Sequence, residues 1–289
     1  MRTTIVSARD LASHPSWRIF DCSHDLADPE AGRAAYLSGH IPGALHARME
    51  TALSGPRTGE NGRNPLPDPR VFAQWVAETG VGPDDQVVCY DRSGGIAAAR
   101  LWWMLRWIGH DAVAVLDGGL TAWQAATLPL TAETPLSSSG SSYGSAPAPA
   151  SGSLRLDLRP DVAVDRHFIA ARLGSDEIRI VDARNAERFR GVNETLDPRG
   201  GHIPGALNRP YAHNLTPEGL FKPPGLLREE WLGILGPCRP DALIASCGSG
   251  LSACHNLLAL EIAGLHGARL YAGSWSEWSA LPDLPVEAG

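Results

Sequence analysis

The sequence predicts an α/β protein made of one unit written twice, each copy a mostly parallel sheet flanked by helices. Three observations carry that prediction. First, motifs recur in one order. Gly39-His-Ile-Pro-Gly-Ala-Leu-His46 returns as Gly201-His-Ile-Pro-Gly-Ala-Leu-Asn208, and Arg18-Ile-Phe-Asp21 returns as Arg179-Ile-Val-Asp182. Asp117-Gly-Gly-Leu-Thr-Ala-Trp123 returns as Ala272-Gly-Ser-Trp-Ser-Glu-Trp278, so the offset stays near 160 residues, the mark of a duplicated domain. Second, short apolar runs alternate with helical periodicity in both copies, the pattern of right-handed βαβ units in a parallel sheet. Third, 289 residues are enough for two domains with a core each.

The elements follow in order. In the first copy 18–21 is a short buried strand, and 69–79 reads as a helix with Val71, Phe72, Trp75 and Val76 on one side. Residues 86–90 form a second strand, 96–108 a helix, and 113–116 a third strand. The second copy repeats this with strands at 178–181, 242–245 and 269–271 and a helix over 251–263. Between the copies, 131–153 is Ser, Pro, Ala and Gly with almost no periodicity, which reads as a surface linker. The expected domains are therefore 1–130 and 154–289, joined by 131–153.

One stretch carries chemistry: Ile244-Ala-Ser-Cys-Gly-Ser-Gly-Leu-Ser-Ala-Cys254. Read as strand, tight loop and helix, it places the sulfur of Cys247 at a helix N-terminus. Unpaired backbone N–H groups and the positive end of the helix dipole favour an anion there, and a thiolate so placed is a better nucleophile at neutral pH. Gly248 and Gly250 let the chain curl with several N–H groups pointing inward. In parallel sheets ligands sit at the carboxyl ends of the strands, where this loop lies. The same position in the first copy is Asp91, a comfortable cap for a helix start and no sulfur nucleophile, so the first domain is expected to be catalytically silent.

Composition narrows the function class. Against 25 basic residues stand 32 acidic ones, a net charge of −7 that argues against nucleic-acid or anionic-membrane surfaces. Five cysteines without a CxxC pair form neither a disulfide framework nor a zinc site. With no apolar signal core at the start and no long apolar run, the expected compartment is the reducing cytoplasm. His40 and His202 recur in the active and the silent copy alike, so both are assigned to turn structure. Cys254, two turns past Cys247, reads as a packed helix residue, and Trp102, Trp103 and Trp107 as helix-face core.

These motifs resemble the tandem-domain rhodanese sulfurtransferases over nearly the whole chain. The resemblance implies two rhodanese-like domains and sulfur transfer through a persulfide on the loop cysteine, with no metal or organic cofactor. Within that family the neutral Cys-Gly-Ser-Gly-Leu-Ser-Ala loop looks like the 3-mercaptopyruvate enzymes. The thiosulfate enzymes carry basic residues just after the cysteine. A dianion such as thiosulfate benefits from charge beside the sulfur, whereas mercaptopyruvate carries its single charge several bonds away. By resemblance, Arg188 and Arg199 match the family's substrate-binding arginines and Arg184 a third arginine nearby. Alternatively these are solvated loop arginines, or they pair with Glu187 and Glu194. Gly248, Gly250, Leu251 and Ser252 would line the loop and Ser249 would relay a proton. Asn64 stands where animal mercaptopyruvate enzymes have a histidine proposed to work with that serine. The acceptor is expected to be cyanide, a small thiol or reduced thioredoxin.

Three other readings compete. Thiosulfate as donor keeps the chemistry and is disfavoured by the uncharged loop. A cysteine phosphatase needs an arginine six residues past the nucleophile, where this chain has Ala253. A non-catalytic binding module would not need Cys247 together with both glycines.

Overall fold

A computed structural model describes residues 1–134 and 156–289. The chain forms two compact units, Met1–Gly55 with Leu66–Arg159, and Pro56–Pro65 with Pro160–Gly289.

The first unit is a five-stranded sheet of β1 (Ile5–Val6), β2 (Arg18–Asp21), β3 (Leu45–His46), β4 (Val87–Tyr90) and β5 (Val113–Leu116), in the order β1-β5-β4-β2-β3. The second contains β6 (Ala163–Val164), β7 (Arg179–Asp182), β8 (Leu207–Asn208), β9 (Leu243–Ser246) and β10 (Arg269–Tyr271), in the order β6-β10-β9-β7-β8. The two orders are the same permutation, and every strand pair in both sheets is parallel. The α/β reading of the sequence therefore holds. The central strands β4 and β9 are buried at every residue, as strands covered on both faces must be. The elements named from the sequence end within about one residue of expectation, a normal discrepancy for helix and strand ends, whereas the helices Ala31–Ser38, Gly119–Ala125 and Pro224–Leu235 were not anticipated. The two-residue strands β1, β3, β6 and β8 went unanticipated because so short a run carries no period.

Each unit has its own core. Val88, Tyr90, Leu116, Leu120 and Trp123 pack in the first, and Ile180, Ile244, Tyr271, Trp275 and Trp278 in the second. Trp102, Trp103 and Trp107 are buried on helix Ile96–Trp107. The paired histidines have the local roles expected of them. His40 Nδ1 meets Tyr36 O at 2.8 Å and stacks on that ring, and His202 Nδ1 meets Phe189 O at 2.8 Å and stacks on Phe189.

The domain limits differ from the sequence reading in three ways. Residues 135–153 of the expected linker lie outside the described residues, while Thr131 is tied to His40 by two backbone hydrogen bonds of 2.8 and 2.9 Å. Asp157 and Arg159 belong to the first unit, donating to Ile108 O and Trp107 O at 3.0 and 2.9 Å, with the Arg159 fork closed on Asp111. Pro56–Pro65, read as part of the first copy, belongs to the second unit. There Arg63 N–H donates to Ser276 Oγ at 2.9 Å, and Gly62, at φ +82°, leaves no room for a Cβ, which would lie 2.7 Å from Gly273 O. An aperiodic stretch shows its length in sequence but not its destination. Among the described residues no helix is long and apolar enough to cross a membrane.

Candidate active site

Residues 247–251 connect β9 to helix Ser252–Ile262, and the turn is built from its glycines. Gly250 holds φ +80°, and a Cβ there would stand 2.4 Å from Ala272 O. Only glycine fits, and that conformation turns the Gly250 N–H onto Cys247 Sγ at 3.1 Å. The sulfur is buried. Ser274 Oγ accepts the Cys247 N–H at 3.1 Å, donates to Tyr271 O at 2.9 Å and lies 3.9 Å from Sγ. The N–H groups of Trp275 and Ser276 donate to the carbonyls of Cys247 and Gly248, each at 2.9 Å. The Cys247 loop is thus clamped by 274–276.

The first copy shows what this loop geometry holds. Asp91 Oδ1 accepts from the N–H groups of Ser93 and Gly95 at 2.9 and 2.8 Å, and Oδ2 from Ala97 and Ala98 at 2.9 and 3.0 Å. Burial pushes this carboxyl up, and the four N–H groups oppose the push. The backbone of the loop is an anion cradle in the first copy, filled by a carboxylate, and in the second copy the Gly250 N–H is the loop amide that meets the sulfur.

The arginines separate into different roles. Arg188, in helix Ala186–Phe189, places Nη2 3.0 Å from Glu194 Oε1 and 2.8 Å from Asp197 Oδ2. Its Nη1 points at the loop, 3.5 Å from where a Gly248 Cβ would be. Arg63, an arginine that the sequence reading missed, donates from Nη1 to Asp197 Oδ1 at 2.7 Å and brings Nη2 to 3.4 Å from that same point. Neither Arg188 Nη1 nor Arg63 Nη2 makes a hydrogen bond among the described residues. Gly248, lacking a Cβ, leaves the space in front of both.

Arg184 is buried deeper. It donates to Asp182 through Nε and Nη2 and to Gly201 O through Nη2, and its guanidinium lies 4.8 Å from the Trp275 ring centre. Its Nη1 reaches Arg188 O at 3.4 Å, so it supports Arg188 more than it faces the loop. Arg199 is not where the sequence expectation put it. Its guanidinium donates to the carbonyls of Ser279, Leu284, Trp278 and Leu281 at 2.8, 2.9, 3.0 and 2.6 Å. Four of its five N–H donors are committed to main chain, and it is absent from the group over Gly248.

Asn64, buried, donates from Nδ2 to Ser249 Oγ at 3.0 Å. Leu251 is buried at the head of the helix and Ser252 begins it. Cys254 Sγ donates to Gly250 O at 3.2 Å. Besides Arg63, the sequence reading missed Asp197 and Ser274. Arg63 stood beside Asn64, which had been singled out, and Ser274 showed as the replacement of Gly119 in the repeated turn. Asp197 gave no signal beyond its place among arginines. Glu194 sits below the usual carboxylate range: burial raises it, but the Leu196 N–H and the Arg188 guanidinium lower it further.

A buried thiol that accepts a loop N–H, faced by two open guanidinium edges, suits an anionic ligand. The chain matches the rhodanese-like domain over residues 4–126 and again over 166–281. It is 42% identical to a probable 3-mercaptopyruvate sulfurtransferase of Pseudomonas aeruginosa, covering 99% of this chain and 98% of that one. It is 36% identical to a putative thiosulfate sulfurtransferase of Mycobacterium tuberculosis, covering 94% and 90%. The solved 3-mercaptopyruvate sulfurtransferase of Leishmania major superposes with a TM-score of 0.83 at 30% identity, covering 98% of this chain and 76% of that one.

Proposed function

The chain belongs to the rhodanese-like family, and from that premise we propose that it transfers sulfur from 3-mercaptopyruvate to a thiol or cyanide through a persulfide on Cys247. The observation that carries this reading is the pair of open guanidinium edges, Arg63 Nη2 and Arg188 Nη1, in front of Gly248. They suit the carboxylate and keto oxygens of a 2-keto acid, gripped by forked donors, while the loop beside the sulfur carries no charge of its own.

In this mechanism the Cys247 thiolate attacks the sulfur of the bound donor. Its lone pair forms the S–S bond as the carbon–sulfur bond breaks, and that electron pair leaves as pyruvate enolate, stabilised by the arginines. The enolate takes a proton and departs as pyruvate. Because Asn64 gives a hydrogen to Ser249 Oγ, the serine's own hydrogen is directed outward, toward the leaving group. The loop amides, led by Gly250 N–H, hold the sulfur as thiolate and then as persulfide. A thiolate acceptor attacks the outer sulfur and releases Cys247; with cyanide the product is thiocyanate. Small thiols and reduced thioredoxin fit the acceptor role, and the free cysteines suit a reducing cytoplasm. Arg184 serves as a positioning residue behind Arg188, and Arg199 holds the main chain of residues 278–284. Thiosulfate is the second reading, favoured by the mycobacterial relative's name.

The test is steady-state transfer to cyanide with each donor, in native protein and Cys247→Ser. A higher kcat/KM for mercaptopyruvate, abolished by the substitution, is expected. Preference for thiosulfate would reverse the donor assignment, and activity surviving in Cys247→Ser would remove the nucleophile.

A further inference from the structure

The arginine group over Gly248 is neutralised by an equal number of carboxylates. Arg63, Arg184 and Arg188 face Asp182, Glu194 and Asp197, and all three acids have side chains no more than 4% exposed. Asp197 is the junction. Its two oxygens divide between the two arginines that reach the loop, 2.7 Å to Arg63 Nη1 and 2.8 Å to Arg188 Nη2. Each guanidinium is thereby held by its rear edge, which turns Arg63 Nη2 and Arg188 Nη1 forward. Glu194 clamps Arg188 through a second pair of bonds at 3.0 Å and 3.1 Å.

We propose that Asp197, backed by Glu194, sets the charge selectivity of the sulfur donor: the site holds one carboxylate by directed hydrogen bonds yet has no positive charge left for a second anionic group. The inference rests on the donor site described above. Two open donor edges satisfy a carboxylate geometrically, and one negative charge is tolerated where the formal sum is zero. A compact dianion brings another negative charge into the same buried space, where low dielectric makes the repulsion from Asp197 and Glu194 count. Asp197 acts through the arginines, as a positioning and charge-balancing residue. Removing one charge about 7 Å from the donor, at an effective dielectric of about 20, changes relative binding about fifty-fold, and solvent screening brings that toward tenfold.

The experiment measures kcat/KM for mercaptopyruvate and for thiosulfate, with cyanide as acceptor, in the native protein, Asp197→Asn and Glu194→Gln. The expected result is a rise of about tenfold or more in the thiosulfate-to-mercaptopyruvate ratio in both variants. Parallel loss with both donors, the ratio unchanged, would mean that the acids only hold structure and would overturn the proposal. A third measurement needs no variant: pyruvate, a monoanion, should compete with donor in the native protein at lower concentration than sulfate, a dianion. The opposite order overturns the proposal even if neither variant folds. The donor assignment itself is read from the native ratio and the proposal from the change in that ratio, so either can fail alone.

Discussion

Ser274 accepts the backbone N–H of Cys247 at 3.1 Å while its own backbone stands at φ +52°. A side chain in that left-handed region costs about 1 kcal/mol. The matching residue of the first copy is Gly119, at φ +55°, where no such cost arises. Serine stands where glycine would be relaxed, and what it adds is a hydroxyl on the main chain of Cys247. The copy with the loop cysteine holds strain at the point where the copy with Asp91 holds none.

Ser274→Gly and Ser274→Ala separate the two effects. Both remove the acceptor of the Cys247 N–H, and both should lower kcat/KM about tenfold, the worth of about one hydrogen bond. The glycine variant sheds the backbone strain and should melt above the alanine variant. Thermal melts and the cyanide assay read both, and full activity in the glycine variant would show that the hydroxyl does nothing for the sulfur.

Arg188 and Arg199 should fail in different ways. Arg188→Lys keeps the charge but loses the fork, and KM for mercaptopyruvate should rise about tenfold. Arg199→Lys cannot serve four carbonyls with one ammonium, so unfolding in urea should come earlier by about 2 kcal/mol, while KM stays within about twofold of native. A large KM effect from Arg199→Lys with unchanged stability would return Arg199 to the substrate.

Asp91→Asn tests the cradle of the first copy. The amide has one acceptor oxygen and brings two N–H donors against a ring of four. Buried donors lose their partner, which should cost about 2–4 kcal/mol of stability in urea denaturation. An unchanged midpoint would mean that the four N–H groups do not depend on a carboxylate.

Glu230 gives a pH signature. Burial raises its carboxyl, but Lys222 and Arg209, each 2.7 Å away, lower it further, and the net displacement is downward. A folded-state pKa below the unfolded one contributes stability above the unfolded value of about 4.3, and that stability is lost as pH falls through the folded value. Glu230→Gln should therefore melt below native at pH 7, and the gap should close as pH falls below the ordinary glutamate range. A gap that persists at low pH would assign the effect to packing.

Much of this protein is legible in local sequence. The duplication, the strand–helix alternation and the loop at Cys247 all follow from spacing and backbone chemistry, because apolar period and glycine position act over a few residues. The difference between the copies is visible too, in Asp91 standing at the place of Cys247. The arginines are another matter. Arg188 and Arg199 both lie near the repeated Gly-His-Ile-Pro-Gly motif, yet one faces the loop and the other binds carbonyls some 80 residues away in sequence. Arg63 meets Asp197 across 134 residues. A guanidinium on a flexible stem takes whichever acceptors the packed chain brings within reach, and only the tertiary structure decides which those are. The cysteine loop was written in the sequence, and the charge balance around it was settled by the packing of the second unit.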